Sequence, residues 1–385
     1  MSEIRLDTIS EKTSGSGTTV SNLKNPNQPF RNLIINGDMQ IAQRGTSQTG
    51  VANNANEGYN TLDRFALNFY GNEGGAATVS QDTTVPSDTT YGKFSKSIKI
   101  DVTTADTSIG ATGSHALQQN IEASFLHHSG WDYTNSSSKI TLSFWARSVK
   151  AGDYCVNLQA TDATRYFVAQ YTLVANTWKH VEVVVPGDSN LVFNDDNGEG
   201  LQVRWMLSTG ADRDGATAGS WFAPGSDYFQ STSSQVNFFD STDNNFFLTG
   251  VQLEVGDAAT NFEHLPFDIQ LQRCKRYFEN YAVENGSAIF GLSFNANDAT
   301  CRLEYKVTKR AAPTIGGIPT GVSGGNGFNF LTNAGSYTSA GSLASHSISI
   351  DGCRINGASH GSLTNPGSSM LYATQDQNIT IDAEL

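Results

Sequence analysis

The stretch FFLTGVQLEVG, Phe246 to Gly256, lies about two thirds of the way along a chain of 385 residues. From Phe247 it alternates. Phe247, Val251, Leu253 and Val255 share one parity, Gln252 and Glu254 the other, with Gly250 between. A period of two is the signature of a strand with one buried face. The stretch therefore reads as a half-buried strand that closes whatever precedes it, because the chain after Gly256 is differently built.

Upstream, similar runs recur. RNLIINGDMQIAQRG sets Leu33, Ile35, Met39 and Ile41 on one face of a first strand. SKSIKIDVTT, KITLSFWARSV, DYCVNLQA, RYFVAQYTLVA, WKHVEVVVPG and LQVRWMLSTG follow, separated by turn-forming NDDNGEG and GADRDGATAG. Many short strands at this spacing, with no helical pattern between them, predict a β-sandwich or jelly roll over residues 30–265. Composition agrees: 37 Gly, 21 Phe and 13 Tyr against 4 Met, with only 16% charged residues, is the usage of strands joined by turns.

Downstream the period changes. In PFDIQLQRCKRYFENY the apolar set Phe267, Leu271, Cys274, Phe278 and Tyr281 is spaced 4, 3, 4, 3, a heptad seam. This predicts an amphipathic helix over 266–282, after Pro266 and with Asp268 in its first turn. Two readings stay open: a helix lying on its own domain, or a neck at which chains meet through Phe267, Leu271, Phe278 and Tyr281. Beyond it, SAIFGLSF and ATCRLEYKV form a hairpin signal and NITIDAEL a last strand. The fold class is all-β: a jelly-roll sandwich, a short helix and a smaller C-terminal β-domain over 283–385. Residues 1–29 are flexible by composition and read as an extended arm that is either disordered or docked on another protein.

The net charge of −13, from 37 acids and 24 bases, disfavours a nucleic-acid partner. No run approaches the roughly 18 apolar residues of a membrane span, so no membrane insertion is expected. The N-terminus has no secretory pattern. The four cysteines are far apart and form no CxxC, so free thiols of a chain made in a reducing cytosol are expected rather than disulfides or zinc.

As a set, several motifs resemble a recurring module of bacteriophage tail-fibre proteins, and the arm resembles that of fibres from phages of marine cyanobacteria. The matching residues are Asn36, Gly37, Asp38, Arg44, Gly45, Asp63, Arg64, Gln252, Leu253, Glu254, Gly256, Thr260, Phe262, Glu263, Cys274, Arg276 and Tyr277, with KVTKRAAPTI at 306–315 similar to a later segment. The resemblance implies a non-enzymatic virion protein assembled in the host cytoplasm. It implies a homotrimer, joined to other virion proteins through residues 1–29, that attaches to a host surface polysaccharide or receptor. A capsid-attached head fibre or decoration protein and a glycan-degrading tailspike are the alternatives. The sandwich is also similar to carbohydrate-binding modules. In those a structural calcium is held by acids where this chain has Gln40 and Thr249–Gly250, so neither that metal nor any cofactor is expected here.

Candidate ligand residues are the loop aromatics Trp131 and Tyr133 in HHSGWDYTN, and Trp221 and Tyr228 in GSWFAPGSDYFQ. Rings beside Asp and Asn suit a sugar, stacking on its C–H face while polar groups bond its hydroxyls; the competing reading is that they pin long loops to the sandwich. The acidic turns with Asp195, Asp196, Glu199 and Asp212, Asp214 lack EF-hand spacing. His127 and His128 point apart, and His346 and His360 have no partners in sequence. No catalytic motif is present: no G-x-S-x-G, P-loop or HExxH, and no pair of acids stands out for glycoside hydrolysis.

Overall fold

The computed structural model describes residues 30–385 except 226–228, 294, 296, 319–327, 333–336, 340–341, 359–366 and 374. The proposed anchoring arm 1–29, Tyr228 and His360 lie outside the described residues.

The first twelve strands are β1 (Ser47–Val51), β2 (Ala66–Tyr70), β3 (Ala76–Asp82), β4 (Ser97–Thr104), β5 (Ser114–Glu122), β6 (Lys139–Ser148), β7 (Gly152–Ala160), β8 (Arg165–Leu173), β9 (Lys179–Pro186), β10 (Glu199–Thr209), β11 (Trp221–Phe222) and β12 (Asn245–Val255). They form two antiparallel six-stranded sheets, ordered β1-β3-β4-β12-β6-β9 and β11-β8-β7-β10-β5-β2. The sheets face each other across an aromatic core, in which Phe144 meets Trp205 edge-on at 5.7 Å and Tyr154 meets Phe246 at 5.9 Å. The all-β sandwich followed by a short helix matches the reading of the sequence.

The opening strand differs from its expectation in two ways. β12 is central, hydrogen-bonded to β4 on one side and β6 on the other. It also carries a bulge: its pairing with β6 slips by one residue between Thr249 and Gln252, where Gly250 has φ +62°. The extra residue switches parity. Phe246 and Leu248 before the bulge, and Val251 and Leu253 after it, all face the core. Phe247 points out instead, beside Trp178 and under the Arg147 guanidinium, and Val255 is exposed.

The strand is buried on both faces, not one. Residues 31–46 form no strand, contrary to the alternation read there; they are a strap laid on β12. Leu33 N–H donates to Leu253 O (2.9 Å) and Val251 N–H to Gly37 O (2.9 Å). Asn32 Nδ2 donates to Val251 O, while its Oδ1 accepts from Leu253 N–H. Asn36 sits at φ +62° and bridges Ile41 and the Asp63 carbonyl through its amide. A Cβ on Gly37 would lie 2.0 Å from Val251 O, so only glycine lets the strap approach. The bend 259–263 covers the rest. Glu254 accepts from Thr260 N–H and Oγ1 (2.8 and 2.7 Å), Gln252 Oε1 from Glu263 N–H (2.8 Å), and Glu263 from Asn32 N–H (2.9 Å). The polar face of β12 is thus a buried network.

The helix is shorter than its pattern. The two helices are α1 (Ala123–His127) and α2 (Phe267–Lys275). Phe278 and Tyr281 are not helical but lie in β13 (Phe278–Val283), where antiparallel pairing with a later strand replaces the second heptad. The predicted residues therefore form no continuous helical seam. Phe267 is 63% exposed. Leu271 and Cys274 pack on Ile35, Ile41 and Tyr277. Phe278 lies 3.5 Å beneath the Arg44 guanidinium, and Tyr281 packs on the C-terminal core with Lys306 Nζ 5.0 Å from its ring. The helix lies on its own domain.

The remaining strands are β14 (Ala288–Ser293), β15 (Ala299–Glu304), β16 (Thr314–Gly316), β17 (Phe328–Thr332), β18 (Tyr337–Ser339), β19 (Ser342–His346), β20 (Gly352–Ala358), β21 (Gly367–Ala373) and β22 (Gln377–Asp382). They make a three-stranded sheet, β13-β22-β16, and a seven-stranded one, β18-β17-β21-β14-β15-β20-β19, around their own core. All four cysteines are buried and free, and burial pushes their thiols above the ordinary range.

Where the two β-regions meet, the charged residues of the recurring motifs converge. Arg64 stacks 3.5 Å over the Tyr277 ring, pairs with Glu384 and donates to Asn120 O (2.5 Å). Arg44 pairs with Asp382 and Glu384 at 3.0 and 3.3 Å. Arg276 holds the fully buried Glu122 with two bonds of 2.8 and 2.7 Å, and Tyr277 Oη donates to the same carboxylate. Arg310 donates to Ala383 O and Glu384 O, both at 2.6 Å. Charge-assisted and bidentate bonds of this kind fix orientation as well as contributing energy.

Asp63 belongs to the same junction, accepting from Gln43 N–H (2.8 Å) and Gln43 Nε2. Burial pushes its carboxyl up to about 6, against the Gln43 bonds that lower it. The folded state thus holds this proton in the window between roughly 4, the ordinary carboxyl value, and 6, where the unfolded chain has released it. Stability from this group falls as pH rises through that window. His115, which burial holds down to about 4, acts in the opposite sense between its ordinary value and 4. Comparing wild type with Asp63→Asn from pH 4 to 7 therefore isolates Asp63. The stability difference between them should shift in the variant's favour as pH rises, measured by denaturant midpoints; a pH-independent difference refutes the assignment.

Candidate functional site

The aromatics chosen from the sequence do not form a site. Trp131 is buried in the core with its ring 6.1 Å from Phe193, and Tyr133 meets Phe193 edge-on at 5.0 Å. Trp221 is buried in β11 and its indole donates to Pro186 O at 2.7 Å. Trp131 and Trp221 are buried and pin loops to the sandwich, while Tyr133 is partly buried against it. Of the acidic turns, Asp195 pairs with His128 at 2.7 Å on the surface and Asp196 caps Gly198 N–H. His127 bonds Phe193 O. Among the described residues no group of three His, Cys, Asp or Glu is placed to hold a metal ion. Thr249 Oγ1 donates to Lys96 O and Gln40 Nε2 to Ser95 Oγ.

A different surface collects binding chemistry: the outer face of the second sheet. Even-numbered residues of β5 and β10 and odd-numbered residues of β7 point away from the core, and register aligns them in rows. One row reads Gln118, Arg204, Asn157, Val168; the next reads Asn120, Gln202, Gln159, Tyr166, Phe222. A third, Ala116, Met206, Cys155, is apolar and packs under Ala216 and Phe222. Tyr70 stands over the first row: its Oη donates to Gln118 Oε1 (2.7 Å) and its ring lies 5.4 Å from the Arg204 guanidinium carbon. Tyr166 and Phe222 stack at 6.0 Å and 24° at the edge.

The rows are incompletely satisfied. Asn157 is fully buried, yet neither Oδ1 nor Nδ2 has a partner; Gln159 Oε1 and Arg204 Nε lack one too. Arg204 spends one amino group on Gln202, whose own Nε2 donates to Glu199 (2.8 Å). An unmet buried amide costs about 1–3 kcal/mol, so such a cluster calls for a function. The available groups are donors and acceptors in equal measure, one fixed cation and a flat aromatic edge. That set suits a neutral polyhydroxylated ligand, whose hydroxyls both donate and accept. No carboxylate stands in these rows, so they hold no acid–base pair for bond cleavage.

No family model and no curated protein matches this chain. Among solved structures, it is similar to a tailspike protein 4 domain of bacteriophage CBA120, at 12% identity over 60% of this chain and 22% of that one, with a TM-score of 0.31. It is similar to a putative sugar-binding protein from Bacteroides thetaiotaomicron, at 14% identity over 58% of this chain and 100% of that one, TM-score 0.29. It is also similar to a family 4 carbohydrate-binding module, at 16% identity over 57% of this chain and 98% of that one, TM-score 0.28. The match thus spans about a fifth of the tailspike chain.

Sequence reasoning missed this face because β5 was not among the strands read, and no pattern along the chain aligns its amides with those of β7 and β10. A signal was present. In HALQQNIE, DYCVNLQA and LQVRWMLS the six positions that enter the two polar rows are five amides and one arginine, not the Lys, Glu and Thr usual on a solvated face.

Proposed function

We propose that the protein is a non-enzymatic phage virion component, a tail fibre, whose sandwich binds a host surface glycan on the outer face of its second sheet. The observation that carries the binding half is the row Gln118–Arg204–Asn157, with unmet hydrogen-bonding groups on both of its last two members. The fibre half is supported by the motif residues shared with tail-fibre modules: they build the strap, the bend and the junction that fix the sandwich to the C-terminal domain, which is the work of a rod-like carrier. Within the chain, Leu271, Phe278 and Tyr281 are engaged by its own residues, and Phe267 is exposed.

Host surface polysaccharide immobilised on a sensor should retain the wild-type protein, and Arg204→Ala should bind at least ten-fold more weakly, about 1.4 kcal/mol. Arg204 is buried beside Asn157, so Asn157→Leu, which removes the unmet amide without opening a cavity, serves as the second variant and should lose binding without losing stability. The polysaccharide chain length should stay unchanged on incubation. Retention equal to wild type in both variants, or shortening of the polysaccharide, overturns the proposal.

A further inference from the structure

A cleft of ≈ 260 Å³ opens on the other side of the sandwich, between the strap and the start of α2, lined by Asp38, Gln40, Lys93, Ser95, His264, Phe267 and Gln270, among others. Its floor is short of donors. Gln270 is 7% exposed and lines the cleft, yet its Oε1 has no partner; its Nε2 reaches Asp38 Oδ1 only at 3.4 Å. Asp38, also buried, is therefore a weakly engaged acceptor beside a free one, and burial raises its carboxyl above the ordinary range despite the nearby His264. The rim supplies the complement: the Lys93 ammonium, and the Phe267 ring, exposed although it was patterned to be covered. The Gln40 amide donates to Ser95 Oγ across the rim.

The chemistry selects a ligand class. A metal ion wants several oxygens with more than one carboxylate, and here a single carboxylate faces Lys93 and His264. A purely apolar ligand would leave Gln270 Oε1 buried and unmet. An anion would meet Asp38. A neutral ring bearing adjacent hydroxyls satisfies all of them: two hydroxyls donate to Gln270 Oε1 and Asp38, a third accepts from Lys93, and the C–H face lies on Phe267. The volume is below the roughly 300–1,000 Å³ of drug-sized pockets, which is room for one ring. We infer that this cleft is a second saccharide site, which holds a single pyranose unit through a vicinal diol. It shares no residue with the outer face of the second sheet and stands even if that face is inert.

The test is saturation-transfer NMR on the full chain with the methyl pyranosides of glucose, galactose, mannose and N-acetylglucosamine, and with glycerol as an open-chain polyol. At least one glycoside, and not glycerol, should receive saturation. Phe267→Ala, at an exposed position that tolerates truncation, should weaken that binding about ten-fold, and Gln270→Leu should remove it. In the Arg204→Ala background, which removes the outer face of the second sheet from the readout, the Phe267 and Gln270 variants should show the same losses. If no glycoside is saturated by the wild-type protein, or if Phe267→Ala binds like wild type, the inference fails.

Discussion

Glu279→Ala should lower stability by about 3–5 kcal/mol, the usual cost of breaking a buried ion pair from one side. Glu279 is the second residue of β13, and its carboxylate and the Lys309 ammonium, 2.7 Å apart, are both fully buried. Lys306 N–H also donates to Glu279 (3.2 Å). Lys309 Nζ also donates to Lys275 O at the end of α2 (2.5 Å), where the helix dipole is negative. Burial already holds the lysine below its ordinary pKa, with Glu279 opposing that fall. Without the carboxylate the folded state favours neutral Lys309 more strongly. A base whose folded pKa is depressed loses stability as pH falls from its unfolded value, roughly 10.4, towards the folded one. The deficit of Glu279→Ala should therefore shrink as pH is raised towards 10. The pair variant Glu279→Leu with Lys309→Met should recover most of the loss, because apolar groups of similar volume replace a buried pair at little cost. Thermal midpoints across pH 7–10 decide. A single variant within 1 kcal/mol of wild type, or a pair variant as weak as the single, would show that the ion pair is not what holds the junction.

That ion pair lies beside residues whose importance the sequence announced without saying why. The motifs Asn36–Gly37, Asp63–Arg64, Gln252-x-Glu254, Thr260-x-x-Glu263 and Arg276–Tyr277 are scattered over 240 residues of the chain, and no pattern along it says that they meet. In the structure they are one continuous polar layer. It runs from the strap on β12 through Asp63 and Arg64 to Tyr277, Glu122 and the closing residues 382–384. Local periodicity reports which face of a strand is apolar; it does not report which polar residues are buried against each other. The helix failed for a related reason. Heptad spacing over 267–281 is satisfied equally by a seam and by a helix that ends at Lys275 and continues as a strand. The choice went to β22, which offers β13 a full antiparallel ladder.

The candidate site was less legible still. Large loop aromatics attract attention because exposed rings stack on sugars, but Trp131 and Trp221 are already buried as loop anchors. The binding chemistry lies in amides spaced two apart on three strands that are far separated in sequence: Gln118 and Asn120, Asn157 and Gln159, Gln202 and Arg204. Only the sheet order β5-β10-β7 places them in rows.

Gly250→Val should be the most damaging single change within the stretch Phe246–Gly256. Gly250 holds φ +62° at the bulge, a region that costs an L-residue roughly 1–2 kcal/mol and a β-branched one at least as much. Its Cβ would also lie 2.6 Å from Cζ of Phe94, a buried ring. Displacing that ring adds overpacking of about 1–3 kcal/mol, so the total loss is about 2–5 kcal/mol. The two costs separate experimentally. Gly250→Asn relieves most of the backbone term, since Asn tolerates left-handed backbone, but keeps the clash; it should fall between wild type and valine. Phe94→Leu in the valine background should relieve the clash alone. If valine is tolerated within 1 kcal/mol, the bulge is not fixed by Gly250. The parity switch that turns Phe246 and Leu248, and then Val251 and Leu253, into one core face would then need another cause. If the loss appears, a single glycine explains why a strand that alternates cleanly by eye faces the core with even-numbered residues at one end and odd-numbered residues at the other.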